Sequence, residues 1–144
     1  MTKTIDMQVI RYMNLFTKIT RVSAKHCFPY NNMVVFVIPG FAVERAIGRD
    51  NANLKNLGGI LAKRIRVLAE PQSEQDIAKF VSVLVSPAKF DRIDVINGES
   101  GKEVAITTND RESKAMLIGR DRIREKELKE ILEQYFKVKT VRIL

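Results

Sequence analysis

The sequence has few of the residues that support metal, disulfide or nucleophilic chemistry. It contains one cysteine, one histidine and no tryptophan. The single Cys27 cannot form an internal disulfide, so a reducing, cytoplasmic setting is expected. One histidine and one cysteine exclude a His/Cys zinc site built within the chain, and no metal or cofactor is predicted. His26 and Cys27 are neighbours on a predicted strand, so their side chains point to opposite faces and a catalytic dyad is not expected.

Long apolar runs are also missing. The longest run, Met33 to Ile38, has six residues, whereas a membrane-spanning helix needs about 20. The first residues are interrupted by Asp6 and Arg11 and lack the pattern of a secretory signal. No membrane partner is therefore expected. There is no phosphate-binding P-loop and no GxGxxG motif, and the protein is not expected to be an enzyme.

Acidic residues are scarce in the first half of the chain. The 144 residues include 25 Lys/Arg and 17 Asp/Glu, a net charge of +8. Residues 1–70 hold 11 of the basic and 4 of the acidic residues, whereas residues 71–144 hold 14 and 13. This excess is compatible either with a solubilising surface or with attraction to phosphates.

An internal repeat divides the chain. The segment Ala-Ile-Gly-Arg-Asp at 46–50 recurs as Leu-Ile-Gly-Arg-Asp at 117–121, an offset of 71 residues. A Lys-x-Ile/Val-Arg pattern at 63–66 recurs at 139–142 with a larger offset, which predicts about five extra residues between the last helix and last strand of the second copy. The repeat predicts two modules, residues 1–70 and 71–144, with Pro71 at the seam.

Hydrophobic periodicity predicts the order α-β-β-α-α-β in each module. The class is therefore α/β (α+β), with a three-stranded mixed sheet in each module. In the first module we predict a helix over 4–18, strands over 24–28 and 33–38, helices over 42–47 and 48–62, and a strand over 65–68. In the second we predict a helix opened by a capping box at 73–76, strands over 93–96 and 104–107, a helix capped by Asn109 and ending at Ile118, a helix around 128–135 and a strand over 138–143.

The turn between the two consecutive helices is the most informative element. It reads Ile-Gly-Arg-Asp-Asn in the first module and Ile-Gly-Arg-Asp-Arg in the second. A glycine that ends a helix is explained by backbone need alone. The same geometry also aims free N–H groups and the helix dipole outward, where a phosphodiester can approach. The candidate phosphate-binding residues are Ile47, Gly48, Arg49, Asp50, Asn51, Asn53 and Lys55, and Ile118, Gly119, Arg120, Asp121, Arg122 and Arg124.

Ile-Gly-x-x between two helices resembles the loop of KH domains, which clamps single-stranded nucleic acid. Only one strand is predicted after the last helix, so the order resembles the type II, prokaryotic arrangement. Tandem type II modules without other domains resemble the archaeal NusA-like transcription termination factors. This resemblance implies two tandem type II KH domains, single-stranded RNA as partner and RNA polymerase as a further partner.

Both loops depart from the KH pattern at the fourth position, where the family has glycine. Asn51 adopts a left-handed backbone more readily than Arg122, so the first loop is expected to keep the family's shape better than the second. Asp50 and Asp121 are expected to cap the following helices, which would occupy the N–H groups that a phosphate needs.

The sequence therefore favours a single-stranded RNA-binding protein in transcription termination or elongation control, with about four nucleotides bound per module. One alternative is a ribosome-associated or ribosome-assembly KH protein. The other is a protein-interaction module whose degenerate loops no longer bind RNA. The oligomeric state is open, with a monomer favoured.

Overall fold

The computed structural model describes residues 7–144, so the part of the first predicted helix at residues 4–6 lies outside the described residues. The chain forms two compact units, one ending at Glu70 and the other running from Pro71 to Leu144. Each unit has the order α-β-β-α-α-β. In the first unit the elements are α1 Met7–Thr20, β1 His26–Tyr30, β2 Met33–Ile38, α2 Val43–Ile47, α3 Ala52–Leu61 and β3 Arg64–Ala69. In the second they are α4 Ile77–Val85, β4 Arg92–Gly98, β5 Gly101–Thr107, α5 Arg111–Ile118, α6 Ile123–Phe136 and β6 Val138–Ile143.

Each unit contains a three-stranded mixed sheet, as predicted. In the first, β2 lies between β1 and β3, antiparallel to β1 and parallel to β3. In the second, β5 occupies the same central place between β4 and β6. Strand β1 starts two residues later than predicted and continues through Pro29 to Tyr30. Proline is tolerated there because β1 is an edge strand that can lose one N–H donor.

The core of the first unit lies between its helices and one face of its sheet. All six residues of β2 are buried, as expected of its continuous β-branched and aromatic run. Phe16 of α1 stacks on Phe36 of β2 with ring centroids 4.3 Å apart, and Leu57 of α3 is fully buried in the same cluster. In the second unit Phe80 of α4 contacts the rings of Tyr135 and Phe136 in α6, at 5.2 and 5.5 Å.

The prediction that about five extra residues lie between the last helix and the last strand of the second copy is wrong. They do not form a longer connection between helix and strand, because α6 has 14 residues where α3 has 10 and only Lys137 separates α6 from β6. The insertion therefore adds a turn of helix. A glycine-like left-handed conformation at Lys137 (φ 59°) ends that helix.

The two predicted helix caps also differ from the structure. Ser73 makes no side-chain cap; instead the Asp76 carboxylate accepts a 2.7 Å hydrogen bond from the Gln72 N–H, and α4 begins at Ile77. At α5 the cap is Asp110 rather than Asn109, since Asp110 Oδ2 accepts from Ser113 Oγ at 2.6 Å and from the Ser113 N–H at 3.3 Å. The shift of one residue follows from Ser113, whose hydroxyl offers Asp110 a second donor.

Candidate nucleic-acid interface

The loops that join α2 to α3 and α5 to α6 have the same backbone. Gly48 adopts φ 81° and ψ 170°, and Gly119 adopts φ 73° and ψ 171°. This region of backbone conformation is open essentially to glycine alone. Each glycine N–H closes the preceding helix on a carbonyl four residues back, at 3.0 Å for Gly48 and 2.8 Å for Gly119. The glycine therefore ends one helix and turns the chain sharply into the next.

Two left-handed residues follow the glycine and its arginine in both loops. In the first loop they are Asp50 (φ 54°) and Asn51 (φ 61°). In the second they are Asp121 (φ 55°) and Arg122 (φ 61°). The expectation that Arg122 would keep this shape less well is wrong, because the surrounding helices hold both loops in one conformation. The fourth-position glycine of the KH pattern is therefore not required for the backbone path.

The two loop aspartates do not cap the helices that follow. The residue that precedes α3 is Asn51 and the one that precedes α6 is Arg122, and neither helix start has a side-chain cap. Asp50 and Asp121 are exposed. The expected competition from these carboxylates is therefore absent. The N–H groups at each turn bond within the loop instead: those of Asn51 and Arg122 donate to the carbonyl oxygens of Gly48 and Gly119, and those of the first helical residues donate to the carbonyl oxygens of Arg49 and Arg120. The carboxylates remain close to the loop as negative charges.

Asn53 and Arg124 occupy equivalent positions and both turn back under their loops. Asn53 Nδ2 donates to the carbonyl oxygens of Ala46 at 3.1 Å and Arg45 at 3.4 Å, which ties the start of α3 to the end of α2. The Arg124 side chain is only 16% exposed and its Nη1 pairs with Glu127 Oε1. Asn53 thus ties its loop together directly, whereas the charged group of Arg124 is paired within α6.

The remaining cations around the loops differ between the units. Arg49, Lys55 and Arg120 are exposed, and none of them pairs with an acidic side chain in the described part of the chain. Arg122 Nη1, by contrast, lies 3.2 Å from Glu125 Oε1. In the second unit two of the three loop arginines are therefore already paired, whereas Arg49 and Lys55 in the first unit are not.

The two isoleucines that precede the loop glycines anchor it to the protein. Ile47 is half-buried and packs against the core of the first unit. Ile118 is half-buried at the end of α5, next to the fully buried Leu117. One neighbour that the sequence did not suggest is Ile123, the first residue of α6, which is 47% exposed immediately after the second loop. Its signal in the sequence was weak, because an apolar residue at a helix start is ordinarily assigned to the core.

Cys27 and His26 take the places expected on β1. Cys27 is partly buried against the core of the first unit, and burial raises the pKa of its thiol to about 12. A thiol with that pKa is a poor nucleophile at neutral pH. Residues 7–144 contain no cluster of three or more His, Cys, Asp or Glu placed to hold a metal ion. Over the same range, every helix is too short or too polar to cross a membrane.

Comparison with known proteins gives a consistent result. No family model matches the chain. A curated relative from Halococcus morrhuae, named "Probable transcription termination protein NusA", is 26% identical over 121 residues, which cover 84% of each chain. The solved crystal structure of APE1850 matches 97% of this chain and 100% of its own, with 29% identity and a TM-score of 0.69. The predicted resemblance is thus confirmed: the chain is a distant homologue of an archaeal protein named for NusA and transcription termination.

Proposed function

We propose that this chain is a non-enzymatic protein that binds single-stranded RNA and acts in transcription termination or elongation control, with RNA polymerase as a further partner. The name of the curated relative supports the role in transcription. The order α-β-β-α-α-β with a mixed sheet in each unit supports the assignment of residues 1–70 and 71–144 as tandem type II KH domains.

The observation that carries the proposal is the shared conformation of the two loops. Asn51 and Arg122 have different chemistry, yet both are held left-handed beside a left-handed aspartate. Such a conformation costs about 1–2 kcal/mol for each non-glycine residue. Backbone strain that is retained at the same position in both units indicates that the loop conformation has a function. The use proposed is to present Arg49 or Arg120, on a loop that leads into the N-terminus of a helix, to a phosphodiester.

Base contacts require apolar surface close to the phosphate site. Ile123 supplies it in the second unit, where it follows the loop directly and is 47% exposed. With no tryptophan in the chain, bases would rest on aliphatic side chains and guanidinium planes. About four nucleotides per unit is the expected length of strand.

Asp50 and Asp121 favour a second candidate function. Both carboxylates are exposed at the loop and would repel a phosphate. A protein-interaction module, whose loops no longer bind RNA, would tolerate these charges. The two functions differ in their response to salt, because phosphate binding releases counterions and protein docking does not release them to the same extent.

The test is a filter-binding titration of the full chain against single-stranded RNA pools at several salt concentrations. We expect the logarithm of the affinity to fall with the logarithm of salt by about 0.7 per phosphate contacted. The double variant Arg49→Gln/Arg120→Gln should weaken binding about tenfold. The matched control is Arg92→Gln/Arg142→Gln, which removes the same charge from two arginines already paired with Asp94 and Glu103.

Two outcomes would redirect the proposal. A wild-type chain that shows no salt-dependent RNA binding at low ionic strength would favour the protein-interaction module. Co-purification with ribosomal subunits instead of RNA polymerase would favour a ribosome-associated KH protein.

A further inference from the structure

Phe41 is an aromatic side chain that the fold leaves in water. It is 93% exposed, more than any other large apolar side chain of residues 7–144. The other six phenylalanines are all buried or half-buried. A single exposed apolar side chain is ordinary in a protein. What distinguishes Phe41 is how its backbone is held and where it lies relative to the first loop.

The backbone on both sides of Phe41 is fixed by hydrogen bonds. The Ala42 N–H donates to the carbonyl oxygen of Pro39 at 3.0 Å, and the Val43 N–H donates to the carbonyl oxygen of Gly40. Ala42 is buried in the core of the first unit, and Val43 packs against the same core. Because these neighbours occupy the inner side of the turn, Phe41 is held on the outer side.

Phe41 and Gly48 flank the short helix α2. Ala46 is fully buried on the inner side of that helix, whereas Phe41, Glu44 and Arg45 are exposed. The seven residue steps from Phe41 to Gly48 correspond to about 10 Å along a helix. Four nucleotides span about 14 Å even at the spacing of about 3.4 Å that a stacked strand has. A strand held at the loop is therefore long enough to reach Phe41.

The segment that leads to Phe41 has no acidic residue. Residues 7–43 contain neither Asp nor Glu. Their Lys and Arg residues are Arg11, Lys18, Arg21 and Lys25. The acid that follows, Glu44, is next to Arg45, and neither Arg45 nor Arg49 pairs with an acidic side chain in the described part of the chain. An aromatic ring near unpaired cations is the combination with which proteins hold single-stranded nucleic acid.

The second unit differs at the equivalent position. Seven residues before Gly119 it has Glu112, which is exposed and acidic where the first unit has Phe41. The reverse holds directly after the loop, where the second unit has the exposed Ile123 and the first has Ala52. Both units thus place a large apolar side chain in water near the loop, the first unit before its loop and the second unit after it.

We propose that Phe41 is a base-stacking residue of the first unit, whose ring packs against a nucleobase of the single-stranded RNA that is held at the Gly48 loop. This inference rests on the proposed function. Stacking on a ring tolerates any sequence because every base has a π-face. Phe41 therefore adds affinity without selecting one base. The second unit, with Glu112 at the equivalent position, lacks this contact.

The first test removes the ring and the base separately. The full chain and its variant Phe41→Ala are compared on an oligouridylate of about six nucleotides, and on copies of it with one abasic ribose at each position in turn. Both proteins also carry Arg120→Gln, so that the second loop contributes less to binding. We expect Phe41→Ala to bind the intact strand about tenfold more weakly, with an unchanged salt slope because no phosphate contact is lost. At one abasic position the two proteins should bind equally.

The matched control for the lost apolar surface is Ile96→Ala on β4, where the side chain is 43% exposed. It should bind every strand as its parent does. A second measurement reports the contact directly. The chain contains no tryptophan, so Phe41→Trp introduces a single fluorophore that can still stack. We expect the oligouridylate to quench its emission and to leave that of Ile96→Trp unchanged.

The outcomes separate this inference from the proposed function. If Phe41→Ala binds the intact strand as tightly as Ile96→Ala does, while Arg49→Gln weakens binding, the stacking residue is wrong and the loop proposal stands. Equal losses on the intact strand and on every abasic strand, or an unquenched Phe41→Trp, would also overturn the stacking contact. If the wild-type chain binds no RNA, both proposals are wrong. Unchanged RNA binding with weaker association with RNA polymerase would assign Phe41 to protein docking instead.

Discussion

Arg124 packs directly beneath Gly119. A Cβ added to that glycine would lie 2.5 Å from Arg124 Cγ and 2.9 Å from the Arg124 backbone nitrogen. The equivalent pair in the first unit is looser, since a Cβ on Gly48 would lie 3.0 Å from Asn53 Cγ and 3.2 Å from the Asn53 nitrogen. In both loops the residue five positions after the glycine thus closes on it, and there is no room for a side chain.

We expect Gly119→Ala to destabilise the protein more than Gly48→Ala. Both substitutions force alanine into a glycine-only backbone region at a cost of about 1–3 kcal/mol, and only at Gly119 would the new Cβ come under 3.0 Å from a backbone atom. Thermal unfolding of each variant measures the difference. Gly59→Ala is the control, because nothing lies within 4 Å of a Cβ there and alanine stabilises a helix interior by about 0.5–1 kcal/mol relative to glycine. Equal losses at the two loops would contradict the difference in packing.

Arg122 gives a second test of the loop conformation. We expect Arg122→Gly to be more stable than Arg122→Ala by about 1 kcal/mol, because glycine adopts the left-handed backbone without the cost that alanine bears. Both substitutions remove the exposed pair with Glu125, so the comparison cancels that contribution. Denaturant unfolding of the two variants gives the difference in free energy. An alanine variant as stable as the glycine variant would show that Arg122 is not held left-handed in solution.

The order of elements and the repeat could be read from the sequence because each element carries its own periodic signal. The β-branched run of β2 and the leucine spacing of α3 are local patterns, and both are confirmed. The predictions of the connection after α6 and of the residue that caps α5 were wrong for a common reason. Each feature depends on one particular neighbour, which hydrophobic periodicity does not reveal. For α6 it is Lys137, which ends the helix in a left-handed conformation, and for α5 it is Ser113, which gives Asp110 a second hydrogen-bond donor.

The candidate site was predictable in position but not in geometry. The doubled Gly-Arg-Asp marks both loops, yet the propensity of Arg122 for ordinary backbone angles gave the wrong expectation for the second loop. Tertiary packing against the flanking helices overrides a local preference of about 1–2 kcal/mol. The inward orientation of Asn53 and Arg124 could not be foreseen either, because a residue in the first turn of a helix can face solvent or the preceding loop with equal ease.

Asp110 offers a test by pH. Hydrogen bonds from Ser113, first from its hydroxyl, hold the pKa of the Asp110 carboxyl below its ordinary value. A depressed folded-state pKa stabilises the protein above the unfolded-state pKa and ceases to do so as pH falls through the folded-state value. We therefore expect Asp110→Ala to melt at a lower temperature than wild type near neutral pH, and the gap to narrow below about pH 4.

Asn109→Ala is the control for this cap. It removes the residue that the sequence predicts as the cap of α5, but the side chain that accepts the cap hydrogen bonds is that of Asp110. We expect its melting temperature to match that of wild type across the same pH range. A loss at Asn109 as large as that at Asp110 would contradict the assignment of the cap.

The last prediction concerns the relative contribution of the two loops to RNA binding. Backbone shape no longer distinguishes them, since both adopt the same angles. Their charges do distinguish the two loops, because Arg122 and Arg124 of the second loop are paired with Glu125 and Glu127. Residues 1–70 also carry 11 Lys/Arg against 4 Asp/Glu, whereas residues 71–144 carry 14 against 13. Long-range attraction and free local cations therefore both favour the first loop.

We expect Arg49→Asp to weaken binding of single-stranded RNA more than Arg120→Asp does, with both variants melting at the wild-type temperature. The physical reason is that Arg49 lies in the half of the chain with the larger excess of positive charge, whereas Arg120 lies in the half where basic and acidic residues nearly balance. The comparison is made by filter binding at one low salt concentration and repeated near physiological salt. The difference should shrink as salt screens the long-range part. If Arg120→Asp causes the larger loss at both concentrations, the second unit is the main phosphate site and the ordering is wrong.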